Sequence, residues 1–484
     1  MRSTRIRGLA TIYPAERKIG GIGRVTVTIA TVGVCASLVS CGKPASICLC
    51  TTTTNRQFAF VANAGSNNVS AYSVDEQSGV LSAVPGSPFA AGTHPGSLTL
   101  ANAVNVPFTS FPWLSVQFAY VVNSGSSSVS AYSIDTVTGT LASLPGSPFA
   151  TGNGPTTLAL WNSSLISAAT GAYTIGSGAN FAYVVNHDSN SLSAFSIDSV
   201  KGTLLPVTGS PFGAGSGPVS FATWGKFAYV VDNGSNDVMA YSLDTTTGAL
   251  TPVPGSPFAT GSGPVGLTIA APFVYVANSV SDDVSAYLLN AGTGALTPIP
   301  GSPFPAGKRP VTVTVATAGG FGYAYVLNQG SNNISGFAID AGKGALTAVA
   351  GSPFAVGVNP VQLSLHTDMT DTLYAVNAGD NNVSAFAVGS SGALAPLSGS
   401  PYATGARPAA LLPFNSAANV TPDGHQYFAL VPNGGSNDVS AYTLDAAGGQ
   451  FKGAMVSVSG SPFAAGSNPD SAAAITTGVS VPGS

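Results

Sequence analysis

Gly209-Ser210-Pro211-Phe212 is a tetrad that the 484-residue chain repeats eight times, once with Tyr in place of Phe. The eight copies begin at Gly86, Gly146, Gly209, Gly255, Gly301, Gly351, Gly399 and Gly460. From Gly209 to Gly399 consecutive copies lie 46 to 50 residues apart, whereas the other spacings are 60 to 63 residues. A period of ~40 to 50 residues built from short strands is typical of a β-propeller. The wider spacings indicate insertions into an otherwise constant unit.

Each repeat has the pattern of four short strands. Phe118–Asn123 is apolar, and a Gly- and Ser-rich turn separates it from Val129–Asp135, in which apolar and polar residues alternate. A third segment, Thr140–Leu144, leads into the tetrad, and a fourth, Thr156–Leu160, follows the next Pro. Alternation with a period of two indicates a half-buried strand. The sequence therefore predicts an all-β propeller of four-stranded antiparallel blades, eight in number, with seven blades as the alternative.

The two ends of the repeat region predict how the ring closes. The first repeat begins at Phe58 with the second strand of the unit, and a surplus first strand, Ser471–Val479, follows Pro469. Pairing the N- and C-terminal strands would complete one blade and remove the open edge that propellers avoid. We expect a single propeller domain over residues 57–479, followed by a tail at 480–484.

The first 40 residues have the order of a secretory signal peptide. Six of the chain's 15 Lys and Arg residues lie here, and an apolar stretch, Val25–Leu38, follows them. That stretch is shorter than the ~20 residues of a transmembrane helix, and Leu38-Val39-Ser40-Cys41 resembles the lipobox of bacterial lipoproteins. We expect a signal peptide at 1–40, acylation at Cys41, a Thr-rich tether at 41–56 and a protein of the bacterial cell envelope, membrane-anchored or extracellular. A plain cleaved signal or a membrane anchor is the alternative.

Composition excludes several classes of function. Beyond residue 40 the chain holds nine basic and eighteen acidic residues, too few cations for nucleic-acid binding. The last cysteine is Cys50, so the propeller has neither a disulfide framework nor a Cys-based zinc site. We expect no metal and no cofactor.

The strand that precedes each Gly- and Ser-rich turn carries a recurrent motif. It reads Tyr120-Val-Val-Asn123, Tyr183-Val-Val-Asn186, Tyr229-Val-Val-Asp232, Tyr275-Val-Ala-Asn278 and Tyr325-Val-Leu-Asn328. These units resemble the YVTN-type repeats of the lactonase-like β-propeller family over roughly residues 57–479. The resemblance implies the propeller fold and, less specifically, a 6-phosphogluconolactonase-like activity, because the repeat motif is scaffold. Members of the family are commonly seven-bladed, so eight repeats are a departure.

The residue before the Pro that opens each blade is the candidate site position. Along the chain it is His94, Gly154, Gly217, Gly263, Arg309, Asn359, Arg407 and Asn468. This position leads into the innermost strand, so we expect these residues to surround one mouth of the central channel. Lys308 adds a further cation, and convergent polar groups over a channel are candidates for ligand binding. The alternative is a set of solvated loop residues.

Three functions are compatible with these features. The first is an exported, lipid-anchored binding or structural protein, whose partners are the membrane and a carbohydrate, a small anionic ligand or an envelope protein. The second is a lactonase, with His94 as the candidate catalytic base and with Lys308, Arg309 and Arg407 binding an anionic substrate. His187 falls in a turn, and no Ser-His-Asp grouping is visible in the sequence. The third is a surface-layer or adhesion repeat protein.

Overall fold

The computed structural model describes residues 25–30, 33–38, 51–103, 117–162, 173–175, 180–318, 321–367, 371–415, 427–444 and 453–482. Cys41, the predicted acylation site, lies outside these ranges. Most of the predicted signal peptide and the first ten residues of the predicted tether also lie outside them.

Eight antiparallel sheets, one per tetrad, form the blades of a propeller, so the prediction of eight blades is confirmed. In blades 2 to 8 the main strands lie in chain order from the channel outward, whereas in blade 1 the last strand of the chain is innermost. The outermost strand is split into two short segments that both pair with the third strand. The Gly-Ser-Pro part of the tetrad lies between these segments, and its Phe or Tyr begins the second one, as in Phe212–Gly213. The sequence predicted one outermost strand that ends at the tetrad, as in Thr140–Leu144, and did not predict the second segment, as in Phe149–Ala150.

The strands are numbered along the chain. An N-terminal hairpin is formed by β1 (Val25–Ala30) and β2 (Gly33–Leu38). Blade 1 contains β3 (Thr51–Asn63), β4 (Asn68–Val74), β5 (Leu81–Ala83) and β6 (Phe89–Ala90). Blade 2 contains β7 (Pro95–Ala103), β8 (Gln117–Asn123), β9 (Ser128–Ile134), β10 (Leu141–Ser143) and β11 (Phe149–Ala150), with a 3-10 turn at Ser124–Ser126. Blade 3 contains β12 (Pro155–Asn162), β14 (Asn180–Asn186), β15 (Ser191–Ile197), β16 (Leu204–Pro206) and β17 (Phe212–Gly213), while β13 (Tyr173–Ile175) pairs with β7.

The remaining blades repeat the same order. Blade 4 contains β18 (Pro218–Trp224), β19 (Phe227–Asp232), β20 (Asp237–Leu243), β21 (Leu250–Pro252) and β22 (Phe258–Ala259). Blade 5 contains β23 (Pro264–Ala270), β24 (Phe273–Asn278), β25 (Asp283–Leu289), β26 (Leu296–Pro298) and β27 (Phe304–Pro305). Blade 6 contains β28 (Pro310–Ala318), β29 (Phe321–Asn328), β30 (Asn333–Ile339), β31 (Leu346–Ala348) and β32 (Phe354–Ala355).

Blades 7 and 8 and the last strand complete the ring. Blade 7 contains β33 (Pro360–His366), β34 (Thr372–Asn377), β35 (Asn382–Val388), β36 (Leu394–Pro396) and β37 (Tyr402–Ala403). Blade 8 contains β38 (Leu412–Asn415), β39 (Tyr427–Asn433), β40 (Asp438–Leu444), β41 (Met455–Ser457) and β42 (Phe463–Ala464). The final strand, β43 (Pro469–Pro482), is the innermost strand of blade 1.

The ring closes through the two termini, as predicted. Strand β43 pairs antiparallel with β3 from Asn63↔Pro469 to Thr51↔Pro482. Phe58 and Ile475 are paired in this register, and both side chains are buried. The paired strand begins at Thr51, within the segment expected from its composition to be a tether.

The tetrad has a structural role in every blade. The Ser210 hydroxyl accepts the backbone N–H of Ala194 in the third strand at 2.9 Å, and the other seven tetrads make the equivalent bond. This hydroxyl satisfies a ladder donor where the outermost strand is interrupted. Gly209 has a φ of 90°, a left-handed conformation that glycine adopts without a steric penalty.

The tyrosines of the repeat motif join neighbouring blades. Tyr120 in blade 2 is fully buried, and its hydroxyl donates to the carbonyl of Gly202 in blade 3 at 2.7 Å. The same bond recurs from blade 3 through blade 7. Blades 1 and 8 carry Phe60 and Leu430 at this position, so the two interfaces that flank blade 1 have no hydroxyl there.

Among the described residues, no helix is long and apolar enough to cross a membrane.

Candidate functional site

The innermost strands contact their neighbours around the ring and so surround a central channel. The residue that precedes the blade-opening Pro adopts a left-handed backbone conformation in all eight blades, with φ between 51° and 65°. We call these eight residues the mouth residues: His94, Gly154, Gly217, Gly263, Arg309, Asn359, Arg407 and Asn468. Glycine and asparagine tolerate this conformation best, and five of the eight positions hold one of them.

Hydrogen bonds fix the backbone of the mouth residues, at both polar groups in seven of the eight. The Arg309 N–H donates to Oδ1 of Asp282, in a turn of the preceding blade, at 2.7 Å. The Arg309 carbonyl accepts the N–H of Gln329, in a turn of its own blade, at 2.9 Å. Equivalent pairs of bonds hold His94, Gly217, Gly263, Asn359, Arg407 and Asn468. The Gly154 carbonyl accepts the backbone N–H of His187. The mouth is therefore a rigid rim rather than a set of free loops.

The side chains divide the mouth into two parts. The polar arc runs over five consecutive blades, from blade 6 through blades 8 and 1 to blade 2, and consists of Arg309, Asn359, Arg407, Asn468 and His94. All five residues are exposed. The glycine arc covers blades 3 to 5 and consists of Gly154, Gly217 and Gly263. The structure thus brings every sequence-predicted ligand residue to one mouth.

Lys308 differs from the residues of the polar arc because its charge is compensated. Its Nζ lies 2.7 Å from Oδ2 of Asp282, and 76% of its side chain is exposed. The hydrogen bond from Lys308 lowers the pKa of Asp282, so the carboxylate is ionised at neutral pH. Arg309 and Arg407 are the cations of the mouth that carry the unusual backbone conformation.

The glycine arc is covered by side chains of the adjacent turns. A Cβ atom on Gly154 would lie 2.4 Å from Oδ2 of Asp188, and one on Gly217 would lie 3.4 Å from Nε2 of His187. The His187 Nδ1 and the Asp188 Oδ1 are hydrogen bonded at 2.8 Å. The absence of side chains at Gly154 and Gly217 therefore makes room for a His–Asp pair.

The sequence analysis assigned no role to this pair. A position-by-position comparison of the repeats does, however, show that one of the two residues departs from the repeat pattern. The residue two places after the strand-ending Asn or Asp is glycine in six blades, Asp188 in blade 3 and Val280 in blade 5. Both departures lie over a glycine of the mouth, since Val280 covers Gly263. Periodicity within one repeat cannot reveal contacts that form between blades.

One carboxyl group lies just inside the polar arc. Asp470 follows Pro469 at the start of β43, and its Oδ2 would be 3.3 Å from a Cβ on Gly96 of blade 2. The Ser471 hydroxyl donates to the Gly96 carbonyl beside it. Desolvation raises the pKa of Asp470, although the residue is exposed to solvent.

The other recurrent polar residues stabilise the fold. Asp135 Oδ1 accepts the N–H groups of Val137 and Thr138, and Asp75, Asp198, Asp244 and Asp340 form the same turn. These bonds lower the pKa of Asp135, mainly through the Thr138 N–H. Trp161 stacks on Phe181 with ring centroids 5.9 Å apart. Within the described ranges, no group of three or more His, Cys, Asp or Glu side chains could hold a metal ion.

Comparison with known proteins places the chain among propellers. A family model described as "Lactonase, 7-bladed beta-propeller" matches residues 47–263 and 218–407. The eight blades of this chain differ from the seven in that description. No curated protein sequence matches the chain.

Solved structures show the same architecture at low sequence identity. A candidate 6-phosphogluconolactonase from Bacteroides uniformis is 14% identical, with a TM-score of 0.51, covering 87% of this chain and 99% of its own. A candidate 6-phosphogluconolactonase from Bacteroides fragilis is 18% identical, with a TM-score of 0.50, covering 71% of this chain and 94% of its own. Apo AztD from Citrobacter koseri is 13% identical, with a TM-score of 0.51, covering 88% of this chain and 99% of its own. At these identities the likeness establishes the fold alone.

Proposed function

Since the chain belongs to the lactonase family of β-propellers, we propose that it hydrolyses a lactone at the mouth formed by the polar arc. The family match favours this function over the binding or structural role that the sequence placed first. A fold does not determine chemistry, so the proposal depends on the side chains at the mouth.

The observation that carries this proposal is the backbone conformation of His94, Arg309 and Arg407. Their φ values of 53°, 53° and 51° lie in the left-handed region, where five other blades have Gly or Asn. A side chain other than Gly or Asn costs roughly 1 to 2 kcal/mol in this conformation. Strain retained at three exposed positions around one opening is typical of a site at which those side chains act on a ligand.

The polar arc fits an anionic substrate. The guanidinium groups of Arg309 and Arg407 offer paired donors to a carboxylate or phosphate, and Asn359 lies on the blade between them. Asn359 and Asn468 can donate to sugar hydroxyls. Hydrolysis also needs a group that takes a proton from water, and His94 is the base candidate that the sequence placed at this mouth.

The test is hydrolysis of δ-gluconolactone and of 6-phosphogluconolactone, measured as acid release above the spontaneous rate. We expect Arg309→Ala and Arg407→Ala each to raise KM for the phosphorylated lactone by about 5- to 150-fold, because each removes a charge-assisted hydrogen bond worth ~1 to 3 kcal/mol. Lys343→Ala is the matched control, since Lys343 is an exposed cation in the β30–β31 turn of the same blade as Arg309. Wild-type protein that does not exceed the spontaneous rate with either lactone would refute the proposed function.

We also propose that the protein is exported and anchored through Cys41, on the strength of the signal-like N-terminus and the lipobox. We expect Cys41→Ser to abolish fatty-acid labelling and to release the protein from the membrane fraction, because acyl chains supply the membrane affinity. Cys48→Ser is the control and leaves the lipobox intact. Equal labelling of the Cys41→Ser protein and the wild type would contradict the anchor.

A further inference from the structure

His187 and Asp188 form a pair on a fixed turn of blade 3. The turn follows β14, and the two side chains are 45% and 65% exposed. The backbone N–H of His187 donates to the Gly154 carbonyl at 2.9 Å, and the backbone N–H of Asp188 donates to the Asn153 carbonyl at 3.2 Å. The backbone of the pair is therefore bound to the rim of the mouth.

The hydrogen bond between the pair determines which imidazole nitrogen is available. An ionised carboxylate only accepts hydrogen bonds, so Asp188 Oδ1 holds the proton of His187 on Nδ1. Whenever the imidazole is neutral, Nε2 is then the nitrogen without a proton. It lies near Gly217 of the next blade, where the missing side chain leaves it accessible.

We propose that His187 is the general base of the reaction at this mouth and that Asp188 positions it. The inference rests on the proposed lactonase function and names the group that performs its proton transfer. His94 is the alternative imidazole, but among the described residues no hydrogen bond to its ring fixes the tautomer. An oriented imidazole is the better base because its acceptor nitrogen already has the required direction.

The proton transfer balances with water as the co-substrate. His187 Nε2 takes one proton from water as the water oxygen forms a bond to the lactone carbonyl carbon. The tetrahedral intermediate collapses by breaking the bond between that carbon and the ring oxygen. The imidazolium returns its proton to the ring oxygen, which leaves as a hydroxyl, and the product is a hydroxy acid.

The position of the pair also constrains the substrate. In a ring of eight blades, blade 3 lies opposite blade 7, whose mouth residue Asn359 lies between Arg309 and Arg407 along the rim. A substrate that uses both sides of the mouth has its anionic group separated from its carbonyl carbon. We therefore expect lactones that carry an anionic group on a distal carbon to be preferred over unsubstituted ones.

The test compares variants with the wild type in the acid-release assay. We expect His187→Ala to lower kcat about 100-fold or more with a KM change below about threefold, because general base catalysis acts in the transition state. Added imidazole is expected to restore part of the turnover of this variant. Blades 1 and 7 already have alanine at the equivalent position, as Ala64 and Ala378, so the variant should fold, and circular dichroism checks this.

Positioning by Asp188 is tested with a conservative pair of variants. We expect Asp188→Asn to lower kcat about 10-fold without affecting KM. Asp188→Glu keeps the carboxylate and is expected to have a kcat between those of Asp188→Asn and the wild type. Lys201→Ala, in the exposed β15–β16 turn of the same blade, is the control expected to keep full activity.

The outcomes separate the two proposals. If the wild type hydrolyses lactones and His187→Ala retains its kcat, the inference is wrong and the lactonase function stands. If kcat is lost instead in His94→Ala or Asp470→Asn, the base is one of those groups and the inference is overturned. If the wild-type protein does not hydrolyse lactones, both the proposed function and the inference are refuted.

Discussion

Removal of residues 470–484 is expected to prevent the ring from closing. Strand β43 pairs with β3 over the whole range from Asn63 to Thr51, so its loss exposes the β3 edge and the buried side chain of Phe58. The loss of these backbone hydrogen bonds and apolar contacts should together lower the free energy of unfolding by about 5 kcal/mol or more. Thermal unfolding followed by circular dichroism measures the effect.

The control for this truncation is the loss of Gly483 and Ser484 alone. These residues follow Pro482, where the β3–β43 register ends. We expect the shorter truncation to leave the melting temperature unchanged. Closure by the C-terminal strand would be disproved by a protein that ends at Pro469 and melts at the wild-type temperature.

Asp232→Asn is expected to stabilise the protein at neutral and alkaline pH. Seven blades end the second strand with Asn, whose amide donates to the residue five places later, as from Asn433 to Asp438 at 2.7 Å. Blade 4 has Asp232 instead, fully buried and facing Asp237. Two facing carboxyl groups without an amide donor favour sharing a proton.

The pH dependence follows from the raised pKa. Desolvation, and then repulsion from Asp237, raises the pKa of Asp232 from 3.8 to about 8. Between these values the folded protein keeps a proton that the unfolded chain releases. The free energy of unfolding therefore falls as pH rises through this interval and levels off above it. We expect Asp232→Asn to remove this slope and to add about 2 to 4 kcal/mol at pH 8.

The measurement is urea unfolding of both proteins from pH 5 to pH 9. Asn278→Asp is the reciprocal control, because Asn278 donates to Asp283 at 2.6 Å in blade 5 and the substitution recreates the blade 4 pair. We expect this variant to gain the slope that Asp232→Asn loses. Parallel pH profiles for wild type and Asp232→Asn would show that the pair is not a shared-proton site.

Much of the fold could be predicted because it is encoded once per repeat. The tetrad gave the number of blades, and the surplus strand after Pro469 gave the closure. The split of the outermost strand was not predictable, since the hydroxyl of Ser210 replaces a ladder bond only after the turn has formed. Local patterns report strands well, but they do not report which donors the turns satisfy.

The candidate site was predictable only in part. The position before each blade-opening Pro identified the mouth, because it is defined within one repeat. The left-handed conformation of Arg309 and Arg407 became apparent only in the structure. The His187 ring lies in the space left by the missing side chain of Gly217. This contact joins blades 3 and 4, and no pattern within one repeat describes it.

The closing blade links folding to the synthesis of β43. Strands β3 and β4 of blade 1 leave the ribosome before the strands of blades 2 to 8, whereas the innermost strand of blade 1, β43, leaves after them. Blades 2 to 8 can stack on one another as each emerges, because each is made from one continuous stretch of chain. The edge of β3 that pairs with β43 remains open until β43 has been made. A nascent chain that stops before β43 therefore presents this edge to chaperones and proteases, and a chain that contains β43 hides it.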